Sequence, residues 1–260
     1  MSARAPLFSA PNPSASAAPA AFDITARVLH RDGMMLIIDK PAGLAVHKGP
    51  KGGETLADYL GALSFGLPNA PELAHRLDKD TSGCLVLGRH RKALADLGKA
   101  FADGSVRKTY MAVVRGVPGE PRGRIELKLA KRSPTRGWWM AVDPKGQDAI
   151  SEWQMLAAGE GFAVLALSPL TGRTHQLRVH LDAIGHPILG DPIYGGGSRL
   201  PGGPILHLHA RRVVVPQNKG RDPVEARAAL PAHMRATLEQ AGMDPAALEA
   251  AADGITFSPR

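Results

Sequence analysis

The sequence predicts an α+β fold: one domain built on a large mixed, mainly antiparallel β-sheet with a few flanking helices. Three observations lead there. Roughly seven or eight short apolar runs read as strands, against two or three convincing helical patterns. These strands and helices do not alternate in the regular rhythm of a barrel or a doubly wound sheet. Hydrophobic residues make up 44% of the 260, enough for a proper core, but aromatics supply only 5%, so aliphatic side chains must fill it.

Taken in order, residues 1–26 are rich in Ala, Pro and Ser and lack the continuous apolar stretch of a secretory signal. They are expected to form a disordered tail ahead of a domain over 27–242, with 243–260 as a C-terminal extension. The run MMLII at 34–38, before Asp39-Lys40-Pro41, predicts a buried strand ending in a turn. Leu56, Tyr59, Leu60 and Leu63 recur at i, i+3, i+4 and i+7 and predict a short amphipathic helix. CLVL at 84–87 is the next strand. Ala93, Leu94, Leu97, Ala100 and Phe101 then mark a helix closed by Gly104 as its C′ residue. Four strands follow at 110–114, 125–129, 150–156 and 162–167. Leu177, His180, Leu181 and Ile184 predict a helix stopped by Gly185. Two late strands are expected at 205–208 and 213–215, and a terminal helix at 231–242.

Lys and Arg number 32 against 24 acidic residues, a formal charge of +8 that favours a polyanionic partner. No run of about 18 apolar residues exists, so a transmembrane helix is excluded. Cys84 is the single cysteine, which rules out an intramolecular disulfide and suits a cytoplasmic location. A monomer with no membrane or protein partner is expected.

Four segments carry chemistry. The first, His75-Arg76-Leu77-Asp78-Lys79-Asp80-Thr81-Ser82-Gly83, places carboxylates among cations just before a buried strand. Its bland reading is a charged turn, with Asp78 or Asp80 accepting backbone N–H bonds. The second is Lys108-Thr109-Tyr110, at the start of a strand. The third runs from Thr171 to His180 (TGRTHQLRVH) at a strand-to-helix junction. Arg178 sits about 100° from Leu177 on that helix, beside the buried face, and a buried guanidinium requires an anion. The fourth, GHPILGDPIYG at 185–195, reads alone as a loop.

In this order and spacing, HRLDKDTSG, KTY, TGRTHQLRVH and GHPILGDPIYG closely resemble the signature segments of the RluA-type RNA pseudouridine synthases. VLHRDGMMLIIDKPAGLAVHKG, LAKRSPTRGWWMAV and LHLHARRVVV resemble the same family's flanking segments, so the likeness spans roughly 27–242. The resemblance implies the pseudouridine synthase fold and the conversion of uridine to pseudouridine in ribosomal or transfer RNA by base flipping. It places the family's indispensable carboxylate on Asp78, the arginine that salt-bridges it on Arg178, and the active-site tyrosine on Tyr110. Arg76 is expected to enter the RNA stack, Leu189 to line the pocket, and His75 and Arg173 to meet the substrate. The reaction involves no redox change or external group transfer, so neither a cofactor nor a metal is implied. The residues alone admit attack on C1′, addition to C6, or removal of the C2′ proton by Asp78.

Other readings carry less weight. His175, His180, His186, Asp191, His207 and His209 match no standard metal-ligand spacing. Trp138 and Trp139, beside Lys131, Arg132 and Arg136, are expected to pack rather than to stack on bases. An RNA-binding protein of the same fold without catalysis is opposed by the joint presence of Asp78, Tyr110 and Arg178. A metal-dependent hydrolase would betray itself by releasing free uracil.

Overall fold

Strands buried on both faces need continuous aliphatic runs, and the centre of this sheet is made of them. The computed structural model describes residues 22–49, 52–132, 139–195, 205–217 and 220–257. In chain order the strands and helices are β1 (Val28–Arg31), β2 (Met35–Lys40), β3 (Glu72–Leu73), β4 (Ser82–Gly88), α1 (Arg91–Ala102), β5 (Arg107–Arg115), β6 (Arg122–Lys131), β7 (Met140–Val142) and β8 (Gln147–Gly159). They continue with β9 (Phe162–Pro169), α2 (Gln176–Ala183), β10 (Leu208–Val215), β11 (Val224–Arg227), α3 (Ala232–Gln240) and α4 (Pro245–Gly254).

Among the described residues the strands form a single eleven-stranded sheet, with the path β1-β2-β4-β10-β5-β9-β8-β6-β7. Strand β11 pairs with β10, and β3 with β4. Every pair is antiparallel except β4 with β10, which is parallel at Ser82 and Gly83. The mixed, mainly antiparallel α+β architecture is therefore as expected.

Side-chain alternation sorts the core onto two faces. Leu85 and Leu87, Tyr110 and Ala112, and Leu165 and Leu167 point to the front, where Leu177 and Leu181 of α2 cover them. On the back, Cys84 and Val86 pack under Leu97 of α1. Also on the back, Met111, Val113, Val164 and Ala166 pack under Met234 and Leu238 of α3 and Leu248 and Ala252 of α4. Helix α1 is capped by the His90 ring, which accepts the Ala93 N–H, and Gly104 stands in the left-handed C′ position at φ 79°.

The structure differs from expectation at several points. Residues 56–63 form two successive 3-10 turns, not one α-helix. Thr55 and Asp58 close a capping box around the first, and the i→i+3 bonds still bring Leu56 and Leu63 to the core. The two late strands are one, β10, because Arg211 in its middle is buried against Glu249 and Asp253 of α4. Residues 245–254, expected only as part of a C-terminal extension, form that helix, and Ile24, upstream of the expected boundary, is also buried.

Candidate active site

The cleft begins where a segment peels away from β4. One edge of β4 pairs with β10 at Ser82 and Gly83 and with β3 at Leu87 and Gly88. Between them, Val86 is served by other groups: its carbonyl accepts the Ala74 N–H at 3.1 Å, and its N–H donates to His75 Nε2 at 3.0 Å. The His75 ring also stacks on Phe101, and burial, with Lys108 second, pushes its pKa down to about 3. His75 thus completes the sheet edge as a neutral imidazole while lining the cleft.

Beyond His75 the chain alternates outward and inward: Arg76 is exposed, Leu77 is buried in the front core, and the Asp78 side chain is 26% exposed. The following turn is anchored by Lys40 at the end of β2. Its buried ammonium donates to the carbonyls of Pro41 (2.7 Å), Leu44 (2.9 Å) and Lys79 (3.0 Å), so all three protons are satisfied. Burial pushes the Lys40 pKa down to about 8, against the charges of Asp80, Asp78 and Asp39. Asp80 belongs to this turn.

Arg178 comes from α2, whose residues 176–181 are buried all round, so its basic residues form no solvated face. The helix start is set by Gln176, whose Oε1 accepts from Thr171 Oγ1 and the Arg173 N–H and whose Nε2 donates to the Ile150 carbonyl and Ser151 Oγ. His175, at the N-cap, has φ 52° and ψ 19°, a left-handed conformation costing about 1–3 kcal/mol that the surrounding bonds hold in place. The Arg178 side chain is 2% exposed and meets two carboxylates. Nε and Nη2 donate to Asp191 Oδ2 and Oδ1 at 2.7 and 2.8 Å, while Nη1 reaches Asp78 Oδ2 at a long 3.4 Å. Burial opposes the guanidinium's charge, but Asp191 and then Asp78 outweigh it and raise the Arg178 pKa.

Asp191 is itself fixed, since its Oδ1 also accepts the N–H groups of Ile193 (2.9 Å) and Tyr194 (3.1 Å). The Tyr194 ring faces Arg178, with Cζ 5.2 Å from the ring centroid. Its hydroxyl accepts the Met140 N–H (3.0 Å) and bonds His175 Nδ1 (2.8 Å), while His175 Nε2 lies 3.9 Å from Asp78 Oδ2. Burial lowers the His175 pKa, with Asp78 opposing.

The structure therefore gathers Asp78, Arg178, Tyr110, Arg76 and Arg173 around one cleft of about 780 Å³. Tyr110 is held on β5 opposite Leu167 of β9, and burial, then Asp78, raise its pKa so that its hydroxyl stays protonated at neutral pH. Arg173 also donates to the Asp148 carbonyl at 3.0 Å. Leu189 is not brought to the cleft. Its side chain packs with Met111 and Val113 on the back, and its neighbour Ile188 is the residue in the cluster with Tyr110. Trp139 packs with Leu129 and Tyr194; Trp138 and Arg136 lie outside the described residues. The other histidines have their own partners: His180 on Ser151, His186 on the Arg115 carbonyl, His207 on Thr237 and His209 on Ser82.

Sequence reasoning missed Asp191 as the tighter partner of Arg178, together with Tyr194, His175 and Lys40. The available signal was that a buried guanidinium needs an anion; nothing in a turn-rich loop told which carboxylate it was.

Residues 34–183 match the RNA pseudouridylate synthase family. The chain is 44% identical over 212 residues to an uncharacterised RNA pseudouridine synthase of Zymomonas mobilis, covering 79% of this chain and 94% of that one. It is 38% identical over 187 residues to ribosomal large subunit pseudouridine synthase D of the same organism, covering 68% of this chain and 58% of that protein. Among solved structures, human RNA pseudouridylate synthase domain containing 4 superposes with a TM-score of 0.72 at 28% identity, over 85% of this chain and 95% of that one.

Proposed function

The chain belongs to the RNA pseudouridylate synthase family, and on that premise we propose that Asp78 is the carboxylate through which it acts, with Tyr110 and Arg178 completing the catalytic group. The enzyme is an isomerase acting on RNA. The bond from C1′ to N1 of uracil breaks, the base turns, C1′ joins C5, and the C5 hydrogen leaves to solvent as N1 gains a proton. One observation carries the assignment: Asp78 is the one carboxylate among the described residues lining the cleft.

The base must leave its stack to reach that carboxylate, at a cost of a few kcal/mol. Stacking on Tyr110 returns about 1–3 kcal/mol. Arg76, exposed at the rim, fills the vacated place by stacking and phosphate contact. Arg173 and Lys108, also on the lining, draw in the backbone. Arg178, its Nη1 at 3.4 Å, supplies the positive charge beside the Asp78 carboxylate.

Similarity to ribosomal large subunit pseudouridine synthase D puts ribosomal RNA first among candidate substrates and transfer RNA second. The test uses ribosomal and transfer RNA transcripts tritiated at uracil C5. The wild type releases tritium from one class, and Asp78→Asn, folded by its melting curve, releases none. Tritium released at the wild-type rate by Asp78→Asn overturns the assignment.

A further inference from the structure

Two groups face Asp78 from α2, Arg178 and His175, and a single short turn, Asp191 to Tyr194, holds both. Arg178 gives its Nε–Nη2 edge to Asp191 at 2.7 and 2.8 Å, and only Nη1, at 3.4 Å, to Asp78. A guanidinium without Asp191 would offer that two-pronged edge to Asp78, and a carboxylate locked in two short bonds must break them before it reacts. On the other side, the Tyr194 oxygen accepts the Met140 N–H and shares a 2.8 Å hydrogen bond with Nδ1 of His175. With the Tyr194 hydroxyl as donor in that bond, the imidazole proton sits on Nε2, the nitrogen nearest Asp78.

We propose that the Asp191–Tyr194 turn is a positioning device for the reaction: Asp191 holds Arg178 back from full engagement with Asp78, and Tyr194 orients the His175 proton toward it. Asp78 then keeps a counter-charge beside it yet stays free to meet the base. The inference rests on Asp78 being the reactive carboxylate. The charged and titratable groups facing this cluster are Asp80 beside Asp78, Lys40 from β2 and Tyr110 from β5, besides the residues just named.

The test is tritium release from C5-labelled RNA, with kcat and KM separated, for wild type, Asp191→Asn, Tyr194→Phe and Asp78→Asn. Asp191→Asn is expected to lower kcat by about 10²-fold, the scale of a misplaced reacting group, with KM for RNA unchanged. Tyr194→Phe keeps its ring on Arg178 and loses kcat alone. Wild-type kcat in either folded variant overturns the proposal. So does a loss in Asp191→Asn that falls equally on kcat and KM, since that is structural support and no more. Should Asp191→Asn fail to fold, Tyr194→Phe decides through its kcat and KM. Failure of the underlying reading shows separately, as turnover by Asp78→Asn.

Discussion

Arg178 divides its donors between two carboxylates, Asp78 and Asp191, that lie 113 positions apart, and the division decides what substitutions there do. In Arg178→Lys a single ammonium still offsets the charge of Asp191, so the protein folds, but it cannot span to Asp78 and turnover falls sharply. Arg178→Leu leaves Asp191, whose side chain is 0% exposed, buried and unpaired. Its stability is expected to drop by about 3–5 kcal/mol, read as a lower urea midpoint at unchanged m. A midpoint equal to that of wild type would show that the buried Asp191 does not depend on Arg178. At this scale the sequence discloses the requirement but not the partner. The position of Arg178 beside an apolar helix face is legible from periodicity, whereas Asp191 follows Gly and precedes Pro in a turn with no period to read.

Among the elements, β4 and β10 meet so closely that one position tolerates only glycine. Gly83 has φ 105°, and a Cβ added there would stand 2.3 Å from the backbone oxygen of Ala210. Gly83→Ala therefore separates the two strands beside the cleft, and a loss of about 3 kcal/mol is expected, at the upper end for backbone strain. Gly33→Ala is the control, as its Cβ meets nothing within 4 Å. Equal melting temperatures for the two variants would refute the tight crossing. Long aliphatic runs made β2, β4, β5 and β9 readable from the sequence. Strands β1, β3 and β11 are two to four residues long, too short for any pattern. Strand β10 read as two because Arg211 and Arg212 interrupt its apolar run, and only the acidic side chains of β11 and α4 explain their place in it. The 3-10 turns at 56–63 share the apolar spacing of an α-helix, so periodicity alone could not separate the two.

For the whole molecule, buried histidines set an acid limit. Burial is the leading cause that pushes His180, His207 and His209 down to about 4 and His75 to about 3. The unfolded chain holds these imidazoles near a pKa of about 6.5, so between that value and about 4 it binds more protons than the fold does. The stability they contribute is complete above pH 6.5 and is lost as the pH falls toward 4. Urea midpoints should fall steadily over that window; a flat profile would mean the fold accepts these protons at no cost. The chain's connectivity has another consequence, for synthesis. β10 is the last of the central strands to be made, yet it lies between β4 and β5 and its Leu208 lines the cleft. A nascent polypeptide that has reached only residue 207 carries two half-sheets with facing, unfilled edges, which invite pairing with other chains. Release from the ribosome before that strand emerges would yield an aggregation-prone product with an unfinished cleft, and a complete enzyme becomes possible only once the keystone strand closes the gap.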